Sequence, residues 1–149
     1  KKATRLFRKA AKQGFAPAQF ALGSCFTDGA GVVQDAEEAL KLYRQAAGQG
    51  LAIAQILLGR CTGVATDHEM AAQYYKQAAA QGLADAQLVL GGAYAQGKGV
   101  TRDLEEAEKL YRLSADQGLA PAQTSLGRCC LAGIGGAHDV ADAARYFRL

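Results

Sequence analysis

Apolar residues recur along this chain at helical spacing, in blocks of about a dozen positions separated by short glycine-containing breaks. Ala18, Leu22 and Phe26 stand four apart and share one face of a helix. Ala39, Tyr43 and Ala46 form the buried stripe of the next block, which opens on Asp35. There Glu38, three residues on, resembles a capping box with aspartate as the cap, and Asp103 with Glu106 repeats the pairing. The blocks close on Gln-Gly pairs, where Gly50, Gly82 and Gly118 are placed to take the left-handed conformation of a helix end. The pattern predicts helices near 16–27, 36–47, 52–62, 68–80, 84–95, 104–116, 120–131 and 140–149, with part of another at 3–12.

These blocks are copies of one unit. QGFAPAQFALG at 13–23 returns as QGLAIAQILLG at 49–59, QGLADAQLVLG at 81–91 and QGLAPAQTSLG at 117–127. Between them, DAEEALKLYRQAAG at 35–48 matches DHEMAAQYYKQAAA at 67–80, DLEEAEKLYRLSAD at 103–116 and the shorter DVADAARYFRL at 139–149. A fixed period of this size marks a solenoid of two-helix units, each burying its apolar face on its neighbours. The units read as 13–48, 49–80, 81–116 and 117–149, after a partial unit at 1–12. Gly23, Gly59, Gly91 and Gly127 return mid-helix, where glycine costs up to about 1 kcal/mol against alanine; close packing of a neighbour would offset that.

The A-x-A-Q-x-x-L-G core, the Gly-x-Gly loop before the second helix and the Y-[RK]-x-A-A-x-Q-G close resemble the Sel-one-like repeat (SLR) family over essentially the whole chain. The resemblance implies an all-α fold, a right-handed α/α superhelical solenoid of tetratricopeptide-like helix-turn-helix repeats. It also implies a protein-interaction scaffold without enzymatic activity, in which first helices line a concave groove and second helices cover the outside. The second unit is four residues short: TGVATD replaces TDGAGVVQD, which predicts a tight turn and a local change in the superhelix. Some cysteine-rich family members are associated with β-lactam binding and hydrolysis, so a β-lactam-binding or cell-envelope ligand-binding protein is the alternative. Those members carry paired cysteines within a repeat, whereas here Cys25, Cys61 and Cys129 fall one per first helix.

In the groove frame, counting from each Leu-Gly leucine selects Phe20, Ile56 and Leu88 as an apolar stripe flanked by Ile53, Arg60 and Arg128. Apolar anchors beside arginines suit an extended or helical peptide with acidic residues. The partner would be a protein or peptide. A second series, Arg8, Arg44, Lys76, Arg112 and Arg148, places one cation on each second helix, as an outer ridge near the helix C-termini.

One stretch suggests other chemistry. GGAYAQGKGV at 91–100 contains G-x-x-x-x-G-K, seven of the eight positions of a phosphate-binding P-loop. Yet Gly99 stands where a magnesium-binding Ser or Thr belongs, and a helix rather than a strand precedes the loop. Gly97 and Gly99 align with Gly29 and Gly31 and with Gly133 and Gly135, so the stretch reads as a repeat loop. His68 and His138 read as surface residues at helix starts, with no second ligand at metal spacing. No Ser-x-x-Lys follows Ser24, Ser114 or Ser125, and no catalytic grouping, metal or cofactor is implied.

The chain has 149 residues, half of them hydrophobic, no tryptophan, and prolines only at 17 and 121. Its formal net charge of +3 is too mild to announce a nucleic-acid or membrane surface, and no apolar run is long enough to span a bilayer. The four cysteines, Cys25, Cys61, Cys129 and Cys130, read as buried small hydrophobes, which fits a reducing, cytoplasmic compartment. A leader upstream of Lys1 would instead imply a periplasmic or secretory one. The chain starts inside one second helix and stops inside another without polar capping elements, as expected of a segment of a longer protein.

Overall fold

The computed structural model describes residues 2–64, 68–132 and 144. Among the described residues there are eight α-helices and no strand: α1 (Lys2–Lys12), α2 (Ala16–Asp28), α3 (Ala36–Gly48), α4 (Ala52–Val64), α5 (His68–Ala80), α6 (Ala84–Gln96), α7 (Leu104–Asp116) and α8 (Ala120–Leu131). The sequence-predicted bounds hold to within two residues. The helix expected at 140–149 and the tight turn of the short second unit lie outside the described residues, as do His138 and Arg148.

The chain forms two compact units, Lys1–Cys61 and Thr62–Leu149. In the first, α2 packs between α1 and α3, and Ala11, Ala18, Leu22 and Leu42 form a core with Phe7, Ala10 and Phe26 around it. In the second, α6 packs against α5 and α7, and α7 against α8. Its core gathers Ala107, Tyr111, Ala115, Ala122, Leu126 and Cys129.

Second helices α3 and α7 start on an aspartate. The Asp35 carboxylate accepts the Glu38 N–H at 3.0 Å, and Asp103 accepts that of Glu106 at 3.0 Å. The reciprocal half of a capping box is replaced. Asp35 donates its own N–H to the Phe26 carbonyl, and Asp103 donates to that of Tyr94, so each cap ties its loop back to the preceding first helix. Glu38 and Glu106 turn instead to Lys41 and Lys109, at 3.3 Å.

Each of the second helices α1, α3, α5 and α7 ends in a Schellman motif. For α3, Gly50 donates to Ala47 and Leu51 donates to Ala46, with Gly50 at φ 86°. Gly14, Gly82 and Gly118 repeat it at φ 84°, 83° and 83°. A second capping layer comes from the glutamine of A-x-A-Q. Gln19 is buried; its Nε2 reaches the Ala11 carbonyl of α1 at 3.5 Å, and its Oε1 accepts from Gln49 at 2.7 Å. Gln87 does the same between Ala79 and Gln117, at 3.4 and 2.8 Å. Unpaired, such an amide would cost about 1–3 kcal/mol.

The mid-helix glycines also find their reason. A Cβ on Gly23 would sit 2.7 Å from the Tyr43 ring, and one on Gly91 2.8 Å from that of Tyr111. The Tyr43 hydroxyl is held by Thr27 and Ser24, at 3.1 and 3.4 Å, so its ring cannot readily withdraw. We expect Gly23→Ala and Gly91→Ala to destabilise by about 1–3 kcal/mol through overpacking, despite alanine's better helix propensity. Gly48, at the end of α3, faces open space. Gly48→Ala should therefore stabilise, by up to about 1 kcal/mol. Urea midpoints of the three variants check this; equal shifts at Gly23 and Gly48 would refute the packing explanation.

Candidate interaction surface

Positions predicted to line the groove divide between the two units. In the first, Ile53, Ile56 and Arg60 lie on one face of α4 at spacings of three and four residues. Ile53 is 54% exposed, Arg60 is exposed and Ile56 is half-buried. Phe20 on α2 is also half-buried, because its ring packs on Tyr43 with centroids 5.3 Å apart. In the second unit, Leu88 is half-buried and packs onto the α7–α8 core, while Arg128 on α8 is exposed. Ile53, Arg60 and Arg128 therefore present most of their surface to a partner, whereas Phe20, Ile56 and Leu88 divide theirs between the core and solvent. The Phe20–Tyr43 contact had no local signal in sequence, since the partner ring lies on the next helix.

The ridge cations differ in their engagement. Arg8 and Arg44 are exposed, Lys76 lies 5.7 Å from the centre of the Tyr94 ring, and Arg112 pairs with Glu108 at 2.5 Å. No group of three His, Cys, Asp or Glu side chains is arranged to hold a metal ion among the described residues. His68 is the exposed first residue of α5.

Gly97 is the left-handed C-cap of α6 at φ 68°, and Gly99, at φ 69°, lies so close to the start of α5 that a Cβ would meet the His68 carbonyl. Helix α7 begins only at Leu104, behind the Asp103 carboxylate. A phosphate cradle needs a free helix N-terminus directly after the lysine. These glycines pack a repeat loop.

The Sel1 repeat profile matches residues 1–15, 16–51, 52–83, 84–119 and 120–149. The chain belongs to the Sel1 repeat family. Its fold is similar to that of a protective antigen of uropathogenic Escherichia coli displaying an SLR fold, with 32% identity over 99% of this chain and a TM-score of 0.94. It is also similar to a Sel1 repeat protein from Oxalobacter formigenes, with 34% identity over 97% of this chain and a TM-score of 0.89. The chain spans 33% and 61% of the lengths of those two proteins. No curated protein sequence matches the chain. No described helix of these Sel1 repeats is long and apolar enough to cross a membrane.

Cys129, on α8, is a buried free thiol, Cys130 next to it is buried, and Cys25, on α2, is half-buried and free. The side chain of Cys61 lies outside the described residues. Burial pushes the Cys129 thiol above its ordinary pKa, and the nearby Glu108 and Cys130 push it the same way. Tyr111 beside it is also raised, by burial and by Cys129, against a smaller opposing pull from Arg128. Because folding favours the protonated thiol, this contribution is fully present below the unfolded thiol's pKa of about 8.5 and is lost as pH rises through the raised native value. Urea midpoints should fall between about pH 8 and 10, and less steeply in Cys129→Ala. At about pH 8, iodoacetamide should label Cys129 at least about tenfold more slowly in the native protein than in urea. Equal rates would show that the thiol is neither buried nor shifted.

Proposed function

We propose that this chain is a non-catalytic interaction scaffold that receives a partner peptide or protein on the exposed faces of its first helices. Membership of the Sel1 repeat family, commonly built as protein-interaction scaffolds, supports the class of function. The observation that carries the surface is the stripe on α4, where exposed Ile53 and half-buried Ile56 stand beside the exposed Arg60. Isoleucine left in water at such a position stabilises nothing within the chain, whereas covering it on binding would recover about 25 cal/mol for each Å² removed from water. Arginine next to apolar anchors suits a segment whose own apolar residues are flanked by carboxylates. Phe20, Leu88 and Arg128 extend the same reading onto α2, α6 and α8.

Photo-crosslinking tests it without disturbing the fold. A benzoylphenylalanine at Ile53 should capture a discrete partner from extract, and one at the equally exposed Leu113 on second helix α7 should not. Arg60→Glu should lower the Ile53 yield by about tenfold. Capture from Leu113 alone, or a yield from Ile53 unchanged by Arg60→Glu, would move the site elsewhere.

A further inference from the structure

The first unit carries a second surface, on a different stripe of α2 from Phe20 and Ser24. Second helices α1 and α3 flank a cleft of about 420 Å³ over α2. Leu22, Phe26 and Leu42 form its apolar floor, and Arg8, Lys12 and Lys41 stand on its rim with a single carboxylate, Glu38. Arg8 and Lys12 are exposed, and neither has an ion-pair partner among the described residues. They belong to a helix of one charge sign: α1 holds Lys2, Arg5, Arg8, Lys9 and Lys12, and the first acidic residue of the chain is Asp28.

The internal repeat shows that this is particular to the first unit. Sixty-eight residues on, Lys12 becomes Ala80 and Arg8 becomes Lys76, which lies over the Tyr94 ring; Gln45 becomes Leu113. The same framework, with the same Gln, Leu and Gly positions, thus lacks the free pair of cations. Holding the fold does not require them. Basic helix ends have a default explanation in the helix dipole, which accounts for Lys9 and Lys12 at the end of α1. It does not account for the unbroken positive sign over Lys2–Lys12, nor for the apolar floor beside it.

We propose that the α1–α3 cleft docks an acidic segment of a partner protein, one that sets an apolar side chain on the Phe26 floor and carboxylates against Arg8 and Lys12. Charge complementarity selects the occupant. A neutral or basic segment would leave the free cations unneutralised, while an acidic one gains attraction from α1 at contact and from its neighbours within a Debye length of about 8–10 Å. The apolar floor adds a demand that charge alone does not make. This site is separate from the first-helix surface proposed above, so either can fail without the other.

The test uses a fluorescein-labelled eight-residue peptide of six glutamates with leucine third and phenylalanine sixth, followed by anisotropy. Saturable binding to the wild-type chain is expected. The double variant Arg8→Glu/Lys12→Glu should weaken it by about tenfold or more, as expected from removing two favourable surface pairs and adding repulsion. Lys109→Glu, at the position matching Lys41 in the second unit, should leave it within about twofold. A peptide with serine at the two apolar positions should bind several-fold more weakly. In the unaltered protein, the peptide should slow acetylation of Lys12 and Lys41 by an N-hydroxysuccinimide ester while sparing Lys109, a readout that needs no variant to fold. Equal loss in Lys109→Glu, or equal binding of the serine peptide, would reduce the effect to general charge and overturn the proposal. Binding to phosphatidylglycerol vesicles in place of the peptide would overturn it in favour of an anionic surface.

Discussion

Stacking short helices creates a problem at every second-helix end, because neighbours crowd the last carbonyls while the chain must turn sharply into the next helix. Here the A-x-A-Q amide answers it. Gln19 and Gln87 each lie buried, donate to a carbonyl in the last turn of the preceding second helix, and accept from the glutamine that ends the following one. A single side chain thus joins three helices while leaving its own polar atoms satisfied, which a buried amide requires. The Schellman glycines and the aspartate caps then fix where each helix stops and starts, so the register of one unit is handed to the next.

The second constraint is close approach. Tyr43 and Tyr111 press their rings onto Gly23 and Gly91, which brings a second helix against the first helix before it at a distance that any Cβ would prevent. Burial in such an arrangement belongs to a position's neighbours more than to its residue type. Leu42 and Leu110 are 6% and 7% exposed, each behind a first helix of the chain, yet Leu6, at the matching position of α1, is 56% exposed.

The same logic separates surface that supports the fold from surface free for partners. In the second unit, the described ridge cations are drawn into local contacts: Arg112 with Glu108, and Lys76 over Tyr94. In the first, α1 leaves Arg8 and Lys12 unpaired beside an apolar floor. Two copies of one framework therefore differ in what they offer outside while keeping the same buried contacts. A repeat architecture allows this because the residues that stack the units and the residues that face outward occupy different stripes of the same helices.

Helix positions were legible because local chemistry dictates them: the four-residue apolar spacing, Asp35 and Asp103 as caps, and glycine at each left-handed turn act within a few residues of one another. The repeat itself carried the fold class. The mid-helix glycines were legible as sites of close approach, but the rings they receive were not, since Tyr43 and Tyr111 lie about twenty residues away. For the same reason a Glu three residues after each Asp suggested a reciprocal capping box, while the Asp N–H in fact goes to a carbonyl of the preceding first helix. Phe20, Ile56 and Leu88 shared one repeat position, and only packing decided how much of each reaches solvent. Sequence by itself determined where helices form, stop and repeat, because those are short-range choices of backbone and spacing. The tertiary structure alone decided which amides, rings and cations find partners, because those contacts join residues that meet only when the helices stack.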